Sequence, residues 1–175
     1  MVEIKDNSMV NKLVLLFFMD KMDVPLTDSI ILEACYYQNP WLEYMDCVQA
    51  LNQLLETGFI FSTVHENLKY FSITPDGRAC LSHFYTRIPA SVRQEIVDFV
   101  KLNRTTYRRK QEYSTSYHMN ADKTYTVQLK IVDPMKTTLD LKFNVANKET
   151  AKGVAAKWGD KAAQIYKLLY EQLVD

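Results

Sequence analysis

The sequence predicts an α+β chain in two parts: a helical N-terminal module carrying one β-hairpin, then a small antiparallel sheet covered by C-terminal helices. Three observations predict it. Apolar residues recur at helical spacing through the first half, interrupted once by a pair of short β-rich segments. Alternation at period two then runs from Tyr113 to Val145. A long apolar stripe at helical spacing closes the chain over residues 148–173.

Ser8 is placed to cap a first helix, in which Val10, Leu13, Val14, Phe17 and Phe18 share a face. Val24-Pro25-Leu26 leaves room only for a short extended bridge. Thr27 is an N-cap residue with Asp28 in the first turn, where the helix dipole favours a carboxylate. Ile30, Ile31, Ala34 and Cys35 give this second helix its buried side. Asn39-Pro40 joins a cap to a proline at the first helical position, which needs no N–H, so a third helix is expected over 40–57. Gly58 supplies its left-handed stop.

Phe59 to Val64 and Lys69 to Ile73 read as strands joined by the polar tip His65-Glu66-Asn67. Thr74-Pro75 repeats the cap-plus-proline signal and opens a fourth helix to about Phe84. Pro89-Ala90-Ser91 starts a fifth, with Val92, Ile96, Phe99 and Val100 as its apolar stripe. In the second half three runs alternate: Tyr113, Thr115, Tyr117, Met119; then Tyr125, Val127, Leu129, Ile131; then Leu139, Leu141, Phe143, Val145. They predict a three-stranded meander with one wet face. Ala151, Val154, Ala155, Trp158, Ala162, Ile165, Leu168 and Leu169 would cover the other, with Gly159-Asp160 breaking the cover into two helices. The expected domains are 1–88, a connecting or dimerisation helix over 89–110, and 111–175.

With 47% hydrophobic and 24% charged residues, the chain has enough apolar surface to offset its ordering entropy, so disorder is not expected. Glu3 and Asp6 argue against a signal peptide, and the apolar run Leu13 to Met19 is too short to span a bilayer. Three widely spaced cysteines, Cys35, Cys47 and Cys80, make no disulfide framework and suit a reducing cytoplasm. The net charge of zero is unevenly placed: residues 1–88 hold six Lys/Arg against eleven Asp/Glu, and the remainder holds fifteen against ten.

The order helix, bridge, helix, helix, strand, tip, strand, helix is that of a winged helix-turn-helix. The strongest local pattern is Ala50-Leu51-x-x-Leu54-Leu55-x-x-Gly58-Phe59-Ile60, followed by Tyr70-Phe71-x-Ile73-Thr74-x-x-Gly77. It resembles winged-helix regulators of the PadR and MarR kind. Over its whole length the chain is similar to the bacterial domain-of-unknown-function family 4364, through Asp46, the stretch Ala50 to Ile60 and the helical segment Ala151…Trp158…Tyr166. The resemblance implies a DNA-binding transcription regulator without supplying an activity.

Such a fold would place its third helix in the major groove of double-stranded DNA and its hairpin tip on a neighbouring phosphate run. With Cys47, Ala50, Leu51 and Leu54 in the core, Asp46, Gln49, Asn52 and Gln53 face outward as candidates for base edges. Asn and Gln can pair bidentately with adenine. In the hairpin His65, Asn67 and Lys69 are the candidate contacts. Against this, residues 40–57 contain no Lys or Arg and carry Glu43, Asp46 and Glu56, which suits a solvated face or a protein-interaction module equally well. Lys101, Arg104 and Arg108, with Arg109 beside them, form a basic stripe that would follow a DNA backbone, or simply complement a helix C-terminus. A homodimer is expected, since one helix reads only a half-site, with Val92, Ile96 and Phe99 as its interface.

Other chemistry finds little support. Cys80 and His83 have a ligand spacing, but only His65 offers a third partner, so no metal is expected. Four glycines stand singly, which excludes a phosphate-cradling loop, and no nucleophile elbow is present. No cofactor and no enzymatic reaction are expected. Tyr113, Tyr117 and Tyr125 read as core rather than as a ligand pocket.

Overall fold

The computed structural model describes residues 7–174, so Glu3 and Asp6 lie outside the described residues. The chain is α+β, with two three-stranded antiparallel sheets among its helices. It divides into two compact units, Met1–Thr105 and Thr106–Asp175, the division falling inside the helix expected as a connector.

In the first unit α1 (Ser8–Met22) is the central rod. Every residue from Leu13 to Met19 is buried, so the helix is covered all round rather than on one face. It packs against α3 (Tyr44–Glu56) and α4 (Pro75–Phe84). Ser8 does not cap it: Asn7 holds that position without a side-chain bond, and the Ser8 hydroxyl donates instead to Gln53 Oε1 at 3.3 Å. The bridge forms as a two-residue strand, β1 (Leu26–Thr27). Thr27 caps α2 (Asp28–Leu32) by accepting from the Ile30 amide at 3.3 Å, as its position predicts.

Beyond Leu32 the helix continues as a π-helical turn, Glu33–Gln38. This changes the role of Asn39-Pro40. The expected third helix from residue 40 is not formed, and α3 begins at Tyr44 with Glu43 before it. The Asn39 side-chain amide donates back to the Ala34 carbonyl at 2.8 Å, and the Leu42 amide donates to the Cys35 carbonyl at 3.1 Å. Both bonds satisfy carbonyls left open by the wider turn. Tertiary packing holds this loop: the Trp41 ring lies 6.1 Å from Phe18 and edge-on to Phe99 at 5.4 Å, with its Nε1 donating to Glu95 at 3.0 Å.

At the other end of α3 the sequence signal holds. Gly58 has φ of 76°, Phe59 N–H donates to the Leu54 carbonyl at 3.0 Å, and Gly58 N–H donates to Leu55 at 3.2 Å, a Schellman stop. The chain then turns directly into β2 (Ile60–His65) and β3 (Leu68–Ile73). Glu66 and Asn67, both at positive φ, make the two-residue turn that suits the right-handed twist of a hairpin. The sheet order is β1-β3-β2, with Leu26 opposite Phe71. Thr74 caps α4 through the Gly77 amide at 3.0 Å, with Pro75 in the first turn. After a 3-10 turn at Tyr85–Arg87, α5 runs Ala90–Glu112.

In the second unit β4 (Tyr113–Met119), β5 (Tyr125–Val132) and β6 (Thr137–Val145) form the expected meander. Cross-strand rows Tyr113–Ile131–Leu139 and Thr115–Leu129–Leu141 place the alternating residues on one face. One continuous helix, α6 (Lys148–Leu173), covers that face, so Gly159-Asp160 does not break it. A helical glycine costs only about 1 kcal/mol relative to Ala, less than the packing of Ala151, Trp158 and Ala162 on Val127 and Leu129 returns. Trp158 Nε1 donates to the Lys130 carbonyl at 3.0 Å beside the bulge at Ile131/Val132, which locks the indole in place. Leu168, expected in this cover, is 57% exposed. Among the described residues no helix is long and apolar enough to cross a membrane.

Candidate nucleic-acid interface

Helix α3 buries Cys47, Ala50, Leu51 and Leu54, the four positions that spacing assigns to the core. Its opposite side exposes Met45, Gln49, Asn52 and Glu56 at intervals of four, three and four, a straight line down the helix. Gln49 and Asn52 therefore stand on the open face as the sequence predicts. Asp46 and Gln53 are half-buried at its margin, and Gln53 is engaged by Ser8. Thr57 tightens the last turn, its hydroxyl donating to the Gln53 carbonyl at 2.9 Å.

The hairpin follows only two residues after Thr57, at Ile60. Asn67 occupies its tip, exposed, while His65 is a half-buried strand residue paired with Leu68 rather than part of the turn. Lys69 pairs with Val64, and its ammonium lies 5.3 Å from the Phe71 ring.

The start of α3 carries residues that the sequence reasoning did not single out. Tyr44 is 43% exposed and Met45 61%. The π turn brings Tyr36 edge-on to Tyr37 at 4.8 Å and to Tyr44 at 5.8 Å, forming an aromatic patch at the mouth of the helix. Apolar residues at helical spacing read as core from sequence, so only the register change in the π turn distinguishes this cluster.

Electrostatics complicate the face. No Lys or Arg occurs between Lys21 and Lys69, whereas that interval carries seven acids. The expected basic stripe lies on α5 and is partly committed. Arg104 reaches Asp23 at 3.9 Å, and Arg108 is bonded to Glu112 at 2.7 Å, which strengthens the guanidinium's hold on its proton. Lys101 and Arg109 are exposed. Lys101 and Arg104 belong to the first unit, Arg108 and Arg109 to the second.

One of the three expected dimer residues needs correction. Ile96 is completely buried within its own chain, so it is core. Phe99 is half-buried against Trp41, and Val92 is half-buried as well. Cys35 and Cys47 are buried thiols, as expected of small core residues, whereas Cys80 is only half-buried. Among the described residues no group of three His, Cys, Asp or Glu side chains could hold a metal ion.

A family model described as Domain of unknown function (DUF4364) matches residues 11–173. The chain belongs to that family. The match runs through both units of this DUF4364 protein, so the α3 face and the covered sheet are parts of one family architecture. No curated protein and no solved structure matches the chain.

Proposed function

We propose that this DUF4364 protein is a winged-helix transcription regulator that reads double-stranded DNA with the open face of α3, acting as a cytoplasmic homodimer. The observation that carries the reading is the joint exposure of Gln49 and Asn52 on one line of a helix whose end turns straight into a β-hairpin. Amide side chains so placed offer the paired donor and acceptor that an adenine edge requires in the major groove. The hairpin, with Asn67 at its tip and Lys69 behind it, has the reach of a wing onto a flanking phosphate. The strand β1 against β3 supports the same reading, because it ties the bridge between the first two helices to the base of that wing.

Selection of duplexes from a randomised library tests it. Recovery of a two-fold symmetric sequence supports the reading, as does loss of that preference in Gln49→Ala and Asn52→Ala. A second reading, protein docking, is favoured by the cation-free interval from Lys21 to Lys69 together with the exposed rings of Tyr37 and Tyr44. A library that yields no enriched duplex would move the assignment there.

A further inference from the structure

The strand order of the first sheet leaves β1 and β2 at its edges. β1 is two residues long and buried, which makes a protected edge. β2 is six residues long, and it carries none of the charged residues or prolines that ordinarily guard a sheet edge. Its Ile, Phe, Thr and Val side chains favour strand pairing. Val64 is 70% exposed and Phe61 49%.

The hydrogen-bond pattern fixes which groups this edge offers. The Thr74 amide donates to the Phe59 carbonyl, and Phe59 stands opposite Thr74 by continuation of the Ile60–Ile73 register. Bonded and non-bonded pairs alternate along an antiparallel ladder. Phe61, Thr63 and His65 therefore bond to β3, while Ile60, Ser62 and Val64 turn their backbone N–H and C=O groups outward. The His65–Leu68 pair that closes the two-residue turn fits this alternation.

We propose that β2 pairs antiparallel with β2 of a second copy about a two-fold axis through Ser62, joining the two three-stranded sheets edge to edge. This rests on the homodimer reading and not on DNA binding. Centring on Ser62 gives the register that engages all three outward residues of each protomer. Ser62 then faces the partner's Ser62, Phe61 faces the partner's Thr63, and Val64 comes beside the partner's Ile60, a core residue. Every cross-strand pair is apolar or hydroxyl-bearing, and no charge meets a charge. That self-match selects a second copy over an unrelated strand, because an isologous contact needs one surface complementary to itself. The paired stretch ends before Glu66 and Asn67, so the hairpin tip stays free.

Sedimentation equilibrium of the full chain tests the proposal. Val64→Pro removes an outward N–H and no bond to β3, the one kind of strand position that tolerates proline. Val64→Lys sets a charge on the edge. Each should raise the dimer dissociation constant by about tenfold or more with the circular dichroism spectrum unchanged. Leu68→Lys, which removes an exposed apolar side chain from β3 instead, should dimerise as the parent does. Cross-linking by oxidised glutathione in a Cys80→Ser background reads the register. Cα atoms of a bonded pair lie about 5.5 Å apart, within disulfide reach, so Ser62→Cys should cross-link. Val64→Cys should not, since its counterpart lies four residues, about 14 Å, along the strand. A parent that stays monomeric at its highest soluble concentration would overturn this pairing together with the homodimer. A dimer that both Val64 variants leave intact, or that cross-links through Val64→Cys and not Ser62→Cys, would overturn the pairing alone.

Discussion

The backbone of Gly77 lies so close to the carbonyl oxygen of Phe59 that no side chain fits between them. The same oxygen accepts the Thr74 amide at 3.0 Å, and the Thr74 hydroxyl donates to the Gly58 carbonyl at 2.8 Å. The turn that ends α3 and the turn that opens α4 are thus welded through three backbone groups. This weld fixes the base of the hairpin relative to the helix beside it.

Gly77→Ala should therefore lower stability by about 1–3 kcal/mol, the cost of forcing backbone apart in a packed site. Gly58→Ala meets open space and strains only the left-handed φ, so its cost should stay near about 1 kcal/mol. Urea unfolding of the two variants checks the order. A larger loss at Gly58 would refute the weld.

Most of the fold was legible because its signals are local. Thr27, Thr74-Pro75 and Gly58 act through bonds within one turn, and the alternation from Tyr113 to Val145 sets the strand faces by period alone. The misreadings arose where distant packing overrides a local preference. Asn39-Pro40 is a sound helix start, yet the edge-on contact of Trp41 with Phe99 and the π turn before it hold the segment as a loop. Gly159 weakens a helix without ending it when Trp158 and Ala162 on either side are anchored in the core. Of the interface residues, Gln49 and Asn52 followed from helical period, but the Tyr36–Tyr37–Tyr44 cluster did not, because exposure of aromatic rings leaves no periodic mark.

Because α6 is continuous, both of its glycines are avoidable costs. Gly153→Ala and Gly159→Ala should each stabilise the protein by about 0.5–1 kcal/mol. Thermal unfolding with far-ultraviolet circular dichroism reads this out. A destabilised Gly159→Ala variant would favour a helix broken at that point.

The buried thiols give a pH signature. Burial, and then the neighbouring Cys47, raise the Cys35 thiol well above its ordinary range, while burial pushes Cys47 from 9.0 up to about 11. A folded pKa above the unfolded one means stability that is complete below about pH 9 and lost as pH climbs towards 11. The melting temperature should fall across that window, and Cys47→Ala should flatten the decline. Parallel profiles for the two proteins would count against this origin.

Thiol labelling gives an independent check on the same core. Under native conditions an alkylating reagent should modify the half-buried Cys80 first, leaving Cys35 and Cys47 unmodified until the protein unfolds. Mass spectrometry of the labelled peptides reports the order, and early modification of Cys35 would contradict the packing of the π turn.

The most direct test of the account is fluorescence anisotropy of an enriched duplex against rising salt, for the parent and for Gln49→Ala/Asn52→Ala. The account predicts specific binding with a shallow salt slope, because the reading face carries no cations of its own. It further predicts a loss of about 10- to 100-fold in specific affinity for the double variant with its slope unchanged. No retention of duplex at about 50 mM salt, or a double variant indistinguishable from the parent, would contradict it.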